Sequence, residues 1–132
     1  KENGAFHHFE HTPERLADTV AFMRRLDTAL GGRTQDFARF FPVPGMAHCS
    51  GGPSTDQFDA LTPLVRWVGQ GEPPAGITAR ARGAGHPGGV NAELPDDWAP
   101  TRTRTLCPWP AVSRYAGSGS VDEAANFHCG AP

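Results

Sequence analysis

The sequence contains no long apolar run and no marked excess of charge of either sign. No stretch approaches the roughly 20 apolar residues that a bilayer-spanning helix requires, so no membrane partner is expected. Lys and Arg total 12 against 14 Asp and Glu, which leaves a formal net charge of -2. This balance provides no electrostatic basis for binding nucleic acid or an anionic membrane surface.

Cysteine is scarce, and its pattern excludes a common class of metal site. The three cysteines are Cys49, Cys107 and Cys129, and none of their spacings forms a CxxC pair or a plausible zinc pattern. An odd number in an exported protein implies a disulfide partner outside the chain or one free thiol.

The histidines near the start of the chain do not indicate a metal site either. His7 and His11 would share a face only if they were helical, and a helix is predicted to begin after them, at Thr12. No carboxylate pattern accompanies them, so no bound metal is expected in this chain.

Glycine and proline are abundant, with 16 and 13 residues in a chain of 132, whereas hydrophobic residues make up 38%. This composition predicts one domain with a structured core and much irregular chain around it. No secretory leader is recognisable at Lys1. The chain is therefore expected to be a mature product or a piece that begins within a domain.

The first predicted element is a helix from Thr12 to Leu30. Thr12 is a suitable cap, Pro13 suits the first turn, and Gly31-Gly32 is a typical helix end. The apolar residues recur at three- and four-residue steps, which predicts one face packed on a core. They are Leu16, Val20, Met23, Leu26 and Leu30.

Downstream of this helix the pattern predicts a strand, a polar loop and a second helix. The strand covers 37–43 (FARFFPV), the loop covers 44–55, and the helix covers 56–68. Ser54 or Thr55 would cap this helix, and Pro63 would kink it or restart it. The order helix-strand-loop-helix is typical of the last part of an α/β sheet protein.

The remainder of the chain is predicted to be mostly irregular. A short strand is expected over 77–82, irregular chain over 83–100, and extended chain over 101–106. Ser120 and Glu123 form a capping-box pattern that would open a short helix through Phe127.

His48 lies in the predicted strand-to-helix loop. Catalytic groups of open α/β sheets gather at the carboxyl ends of the strands, and Ser-His-Asp hydrolases of this class place their histidine last in the chain. An imidazole with a pKa near neutrality suits the transfer of a serine proton. Spacing alone leaves open an ordinary surface or capping role for His48.

Several motifs resemble the tannase and feruloyl esterase family, in the family's order and at fitting distances. The resemblance extends from about Ala17 to Cys129. The motifs lie at 41–53 (FPVPGMAHCSGGP), 56–62 (DQFDALT), 65–68 (VRWV), 104–110 (RTLCPWP), 115–120 (YAGSGS) and 124–129 (AANFHC).

The resemblance implies an α/β fold, of which this chain is the C-terminal fragment of an α/β-hydrolase sheet. Residues 1–11 would be a non-matching stretch, residues 12–82 the C-terminal part of the hydrolase domain, and residues 83–132 an irregular, disulfide-stapled extension. Cys107 and Cys129 match the family's C-terminal disulfide pair. Closing such a loop contributes about 3 kcal/mol to stability.

The same resemblance assigns roles to the loop residues. His48 matches the family's catalytic histidine, and Cys49 the cysteine that bridges to a partner beside the nucleophilic serine, here outside the chain. The nucleophile, the oxyanion hole and the lid that carries calcium in the family are absent, so this chain holds no cofactor. The family's catalytic Asp is also absent, and Glu10 is the candidate acid.

The implied function is that of a secreted or periplasmic serine esterase that hydrolyses gallate or hydroxycinnamate esters. Its partners would be small aromatic-acid esters and the remainder of the esterase chain. The isolated chain is expected to be inactive because it lacks a nucleophile. The alternatives are a degenerate, non-catalytic binding module and a structural subunit of a two-chain enzyme.

Overall fold

A computed structural model describes residues 13–132, beginning with helix α1 at Pro13–Ala29. The predicted first helix is therefore confirmed, and so is its end. Gly31 and Gly32 have φ angles of 62° and 80°. Their amides donate to the carbonyls of Thr28 and Asp27 at 3.2 and 2.9 Å, which is the hydrogen-bond pattern of a Schellman cap.

The predicted strand at 37–43 is wrong, because this segment takes part in neither of the two sheets. Pro42 and Pro44 have no amide hydrogen to give to a ladder. The carbonyl of Phe40 accepts instead from the Trp109 amide of the C-terminal extension, at 2.7 Å. The segment thus crosses the protein as irregular chain with Phe40 buried.

A three-stranded antiparallel sheet forms the centre of the described chain. Its strands are β1 (Gln57–Phe58), β2 (Ile77–Arg80) and β3 (Thr103–Leu106), in that spatial order. Alternate residues of β2 are buried, as expected for a sheet with one covered face. The core consists of Ile77, Ala79 and Leu106, with Phe41, Val43 and Phe58 packed against it.

The second helix begins later than its pattern predicted. Helix α2 is Leu61–Gln70, and residues 57–58 belong to β1. The carboxylate of Asp59, rather than Ser54 or Thr55, accepts hydrogen bonds from the amides of Leu61 and Thr62, both at 3.0 Å. Pro63 therefore lies in the first turn, where no helical hydrogen bond is lost. Of the two predicted effects of Pro63, the structure agrees with a helix that starts just before this proline.

The extension after β3 forms a second, two-stranded sheet. Strands β4 (Val112–Tyr115) and β5 (Phe127–Gly130) pair antiparallel, and a disulfide joins Cys107 to Cys129. The short helix predicted from Ser120 is wrong. Only a 3₁₀ turn forms at Ala124–Asn126, because Phe127 pairs with Tyr115 in the ladder.

The strands expected near 77–82 and 101–106 are confirmed as β2 and β3. Residues 83–100 contain neither helix nor strand, as predicted. Between residues 13 and 132, neither helix combines the length and hydropathy needed to cross a bilayer.

Loss of the disulfide should destabilise the protein. The bridge closes a sequence separation of 22 residues, so Cys107→Ser with Cys129→Ser should lower the free energy of unfolding by about 3 kcal/mol. Denaturant unfolding of the polypeptide that contains this chain measures the change. Ser118→Ala, an exposed substitution inside the same loop, is the control. An unchanged unfolding midpoint in the double variant would contradict the expectation.

Candidate active site

His48 lies in a loop whose two sides touch through glycine backbones. A Cβ atom on Gly52 would lie 2.1 Å from the carbonyl oxygen of Gly45, and one on Gly45 would lie 2.5 Å from the carbonyl oxygen of Pro53. The amide of Ala47 donates to the carbonyl of Gly51 at 3.0 Å. Only glycine permits this close approach, and the loop presents His48 at its exposed tip.

Cys49, next to His48, has a backbone conformation that is unusual for its residue type. Its φ of 67° is the one positive value at a non-glycine position in residues 13–132, and such conformations are costly unless the surroundings impose them. Its thiol is exposed, and the Sγ atom lies 3.1 Å from Nδ1 of His48. With this backbone turn, the thiol of Cys49 lies beside the imidazole of His48.

A buried ion pair anchors the C-terminal side of this loop. The side chain of Asp56 is fully buried, and that of Arg82 is 16% exposed. Nε of Arg82 lies 3.1 and 3.0 Å from the two carboxylate oxygens, and Nη2 lies 2.6 Å from Oδ2. The same Oδ2 accepts the amide of Gly51 at 2.7 Å. Asp56 thereby connects the histidine loop to the end of β2.

The hydrogen bonds to Asp56 outweigh the effect of its burial. Burial by itself raises the pKa of a carboxyl group. Hydrogen bonds from Arg82, from the amide of Gly51 and from Gln57, together with the charge of Arg82, bring the pKa of Asp56 below its ordinary value. Asp56 is therefore ionised at neutral pH, as the anchoring role requires.

The irregular segment 83–100 also contacts the histidine loop. The carboxylate of Glu93 accepts the amide of Gly52 at 2.8 Å, and the side-chain amide of Asn91 donates to the carbonyl of Gly52 at 2.7 Å. Asn91 is buried, and its own amide donates to the carbonyl of Arg82 at 2.8 Å. Chain that forms no regular structure thus builds one wall of the site.

The sequence predicts His48 and Cys49 as site residues but does not indicate the residues that hold their loop. Asp56 falls within the pattern of the predicted second helix, and no motif points to Arg82, Asn91 or Glu93. Asp56 and Arg82 are 26 residues apart, and no local pattern links positions at that distance. A Gly-rich loop whose backbone groups need partners was the one available signal.

The sequence also led to predictions about the catalytic acid and about metal binding. The candidate acid Glu10 and the histidines His7, His8 and His11 lie outside the described residues. Within residues 13–132 no cluster of three or more His, Cys, Asp or Glu side chains is arranged to hold a metal ion.

Comparison with known proteins shows the family of this chain. The sequence model described as "Tannase and feruloyl esterase" matches residues 4–130, which is nearly the whole chain. The chain belongs to the tannase and feruloyl esterase family. One protein similar to this chain is a mono(2-hydroxyethyl) terephthalate hydrolase from Piscinibacter sakaiensis, 51% identical over 117 residues.

Other relatives of the family are more distant. A probable feruloyl esterase from Arthroderma benhamiae is 31% identical over 115 residues, which cover 84% of this chain and 19% of that protein. The terephthalate-ester hydrolase is matched over 87% of this chain but 17% of its own length. The chain therefore spans about a fifth of the length of these curated relatives.

Solved structures of esterases share this fold. An esterase from Aspergillus oryzae aligns with a TM-score of 0.62 at 24% identity, over 86% of this chain and 24% of that one. Feruloyl esterase B from the same organism aligns with a TM-score of 0.58 at 23% identity, over 84% of this chain and 23% of that one. The arrangement of two helices and small sheets thus also occurs within larger esterases.

Substitution of Asp56 should destabilise the protein and change its response to acid. Asp56→Asn leaves Arg82 without its counter-charge and should therefore lower the free energy of unfolding. Because the folded-state pKa of Asp56 is lowered, its contribution is fully present above the unfolded-state value of about 3.9. The contribution is lost as the pH falls through the lower, folded-state pKa.

Unfolding measured by denaturant between neutral pH and pH 2 checks both expectations. The wild type should lose stability in the acid range, and Asp56→Asn should show a shallower loss. Asp96→Asn, an exposed change in the 83–100 segment, is the matched control. Parallel stability curves for wild type and Asp56→Asn would contradict the assignment.

Proposed function

We propose that this chain is the C-terminal part of a serine carboxylic ester hydrolase and supplies its catalytic histidine, His48. The observation that carries this proposal is the position of His48 at the exposed tip of a braced loop, in a chain that belongs to an esterase family. In this proposal the nucleophilic serine lies outside residues 1–132.

The proposed mechanism gives His48 two successive tasks. As a base, its imidazole accepts the hydroxyl proton of the serine while the serine oxygen attacks the ester carbonyl. As an acid, it returns that proton to the leaving alcohol when the tetrahedral intermediate collapses to the acyl-enzyme. Water then repeats the sequence, and the free acid is released. We propose Glu10 as the group that orients the imidazole.

The proposed substrates are esters of small aromatic acids. The names of the relatives support this class, because feruloyl esters and the terephthalate monoester share an aromatic acyl group. Gallate and hydroxycinnamate esters are the expected examples, and a terephthalate monoester belongs to the same class. The reaction as proposed uses protein groups and water only, and a calcium-bearing lid would lie outside this chain.

The exposed apolar surface supports the proposal that this chain is part of a larger protein. Leu61, Val65 and Val68 follow one another along one face of α2 and are 67%, 60% and 57% exposed. Phe22 on α1 is also 53% exposed. A patch of this kind is costly in water and normally packs on another surface. We propose that the remainder of the esterase chain covers it.

Cysteine chemistry supports an oxidising location, outside the cell or in the periplasm. A structural disulfide such as that of Cys107 and Cys129 is typical of exported proteins. We further propose that the exposed thiol of Cys49 forms a second bridge, to a cysteine next to the serine. Such a bridge would hold nucleophile and base within reach of each other.

Removal of the imidazole should abolish catalysis by the intact polypeptide. His48→Ala should lower kcat/KM for an aromatic-acid ester by at least about a thousandfold, with little change in folding because the side chain is exposed. The isolated 132-residue chain should show no turnover. The measurement is steady-state hydrolysis, with His128→Ala, an exposed histidine of β5, as the control.

Two results would contradict this proposal. Unchanged activity of the intact His48→Ala protein would remove the catalytic assignment and favour a non-catalytic module on the same scaffold. Turnover by the isolated chain that His48→Ala abolishes would show that the nucleophile lies within these residues.

Two substitutions of Cys49 should distinguish the effect of the proposed bridge from the effect of the backbone strain. Cys49→Ser keeps a side chain at positive φ and removes the bridge, whereas Cys49→Gly removes the bridge and relieves the strain of about 1 kcal/mol. Both should lower kcat by about tenfold or more, and Cys49→Gly should be the more stable. Peptide mapping without reduction would contradict the bridge if it recovered Cys49 as a thiol from the active enzyme.

A further inference from the structure

Side chains of one other segment contact both the backbone amide and the backbone carbonyl of Gly52, and the carbonyl also accepts the amide of Ser54 at 2.8 Å. Glu93 Oε2 accepts its amide at 2.8 Å, and Asn91 Nδ2 donates to its carbonyl at 2.7 Å. Both backbone groups of this glycine are thus bonded to segment 91–93. We name residues 91–93 the bracket.

The bracket is itself held in place. The amide of Asn91 donates to the carbonyl of Arg82 at 2.8 Å, and Asn91 Oδ1 accepts the amide of Glu93 at 3.0 Å. Arg82 in turn forms the buried pair with Asp56. The carboxylate of Glu93 therefore projects from a backbone with a defined position, which is what a precise hydrogen bond requires.

Movement at Gly52 would be transmitted directly to the side of the loop that precedes His48. The site of a Cβ atom on Gly52 is 2.1 Å from the carbonyl oxygen of Gly45 and 3.0 Å from the amide nitrogen of Ala47. The backbones on the two sides of the loop are thus in van der Waals contact. Because the carbonyl of the adjacent Gly51 accepts the amide of Ala47 at 3.0 Å, a displacement of Gly52 should also shift Ala47, the residue next to His48.

The side chain of Glu93 contributes little to the core. The residue is exposed, so its truncation leaves no buried cavity and removes mainly one charge-assisted hydrogen bond. Asn91 differs, because it is buried at 6% exposure. Glu93 is therefore the position at which support of the loop can be separated from stability of the fold.

We propose that Glu93 is a positioning residue for His48. It acts together with Asn91 through the backbone amide and carbonyl of Gly52. This inference rests on the proposed function of His48. It assigns a role to the irregular segment 83–100, which contains no catalytic motif. Because rates of acyl transfer depend steeply on the geometry between nucleophile and base, a misplacement of about 1 Å costs up to about a hundredfold in rate.

The test uses the intact esterase polypeptide and a chromogenic aromatic-acid ester. Glu93→Ala should lower kcat by about tenfold or more, with KM and the thermal midpoint unchanged. Glu93→Gln retains an oxygen at the acceptor position and should recover kcat to within about threefold of wild type. Asp96→Ala, an exposed carboxylate three residues further along, should leave kcat unchanged.

Two outcomes would overturn the proposal. One is a Glu93→Ala enzyme with wild-type kcat; the other is a loss of kcat matched by a fall in thermal midpoint that Glu93→Gln does not restore, which is a structural effect. His48→Ala assayed in parallel separates the two hypotheses. Loss of activity with His48→Ala but not with Glu93→Ala rejects the positioning role alone, whereas unchanged activity in both rejects the proposed function.

Discussion

The ion pair between Asp56 and Arg82 is the contact on which the histidine loop depends. Burial of a carboxylate and a guanidinium removes hydration that their mutual attraction alone does not always offset. Here the carboxylate also accepts hydrogen bonds from Gly51 and Gln57, so its lone pairs are satisfied as well as its charge. The pair joins three parts of the chain: the loop, the end of β2 and, through the carbonyl of Arg82, the bracket.

Because of this ion pair, the loop that contains His48 is held in place although its tip is exposed. Hydrogen bonds of Gly51 and Gly52 oppose separation of the two sides of the loop, and their backbone contact leaves no space for a closer approach. His48 itself remains at the surface, and rigid support of an accessible imidazole is what its proposed role as a general base requires. The C-terminal extension contacts this loop through Asn91 and Glu93 and is therefore part of the candidate site.

The surfaces that remain apolar and exposed are also informative. Phe22 on α1 and the face of α2 formed by Leu61, Val65 and Val68 lack cover from the described chain. Relatives of the family are about five times longer than this chain. Both facts agree with the proposal that this chain completes its packing within a larger esterase.

Structural features that depend on contacts between neighbouring residues are predictable from the sequence. Capping and periodicity act over a few residues, so local patterns indicate the helix at Pro13–Ala29 and its glycine end. The family motifs around His48 are local patterns as well. The extended nature of β2 and β3 follows in the same way.

Contacts between residues that are distant in the sequence are visible only in the tertiary structure. The segment 37–43 has the composition of a strand but packs as irregular chain, since the Phe40 carbonyl bonds to Trp109. Asp56 lies in a helix-like pattern, yet it directly precedes β1 and pairs with Arg82. Glu93 and Asn91 reach Gly52 across about 40 positions. Such partners are selected by burial and by unsatisfied backbone groups, which exist only once the chain has folded.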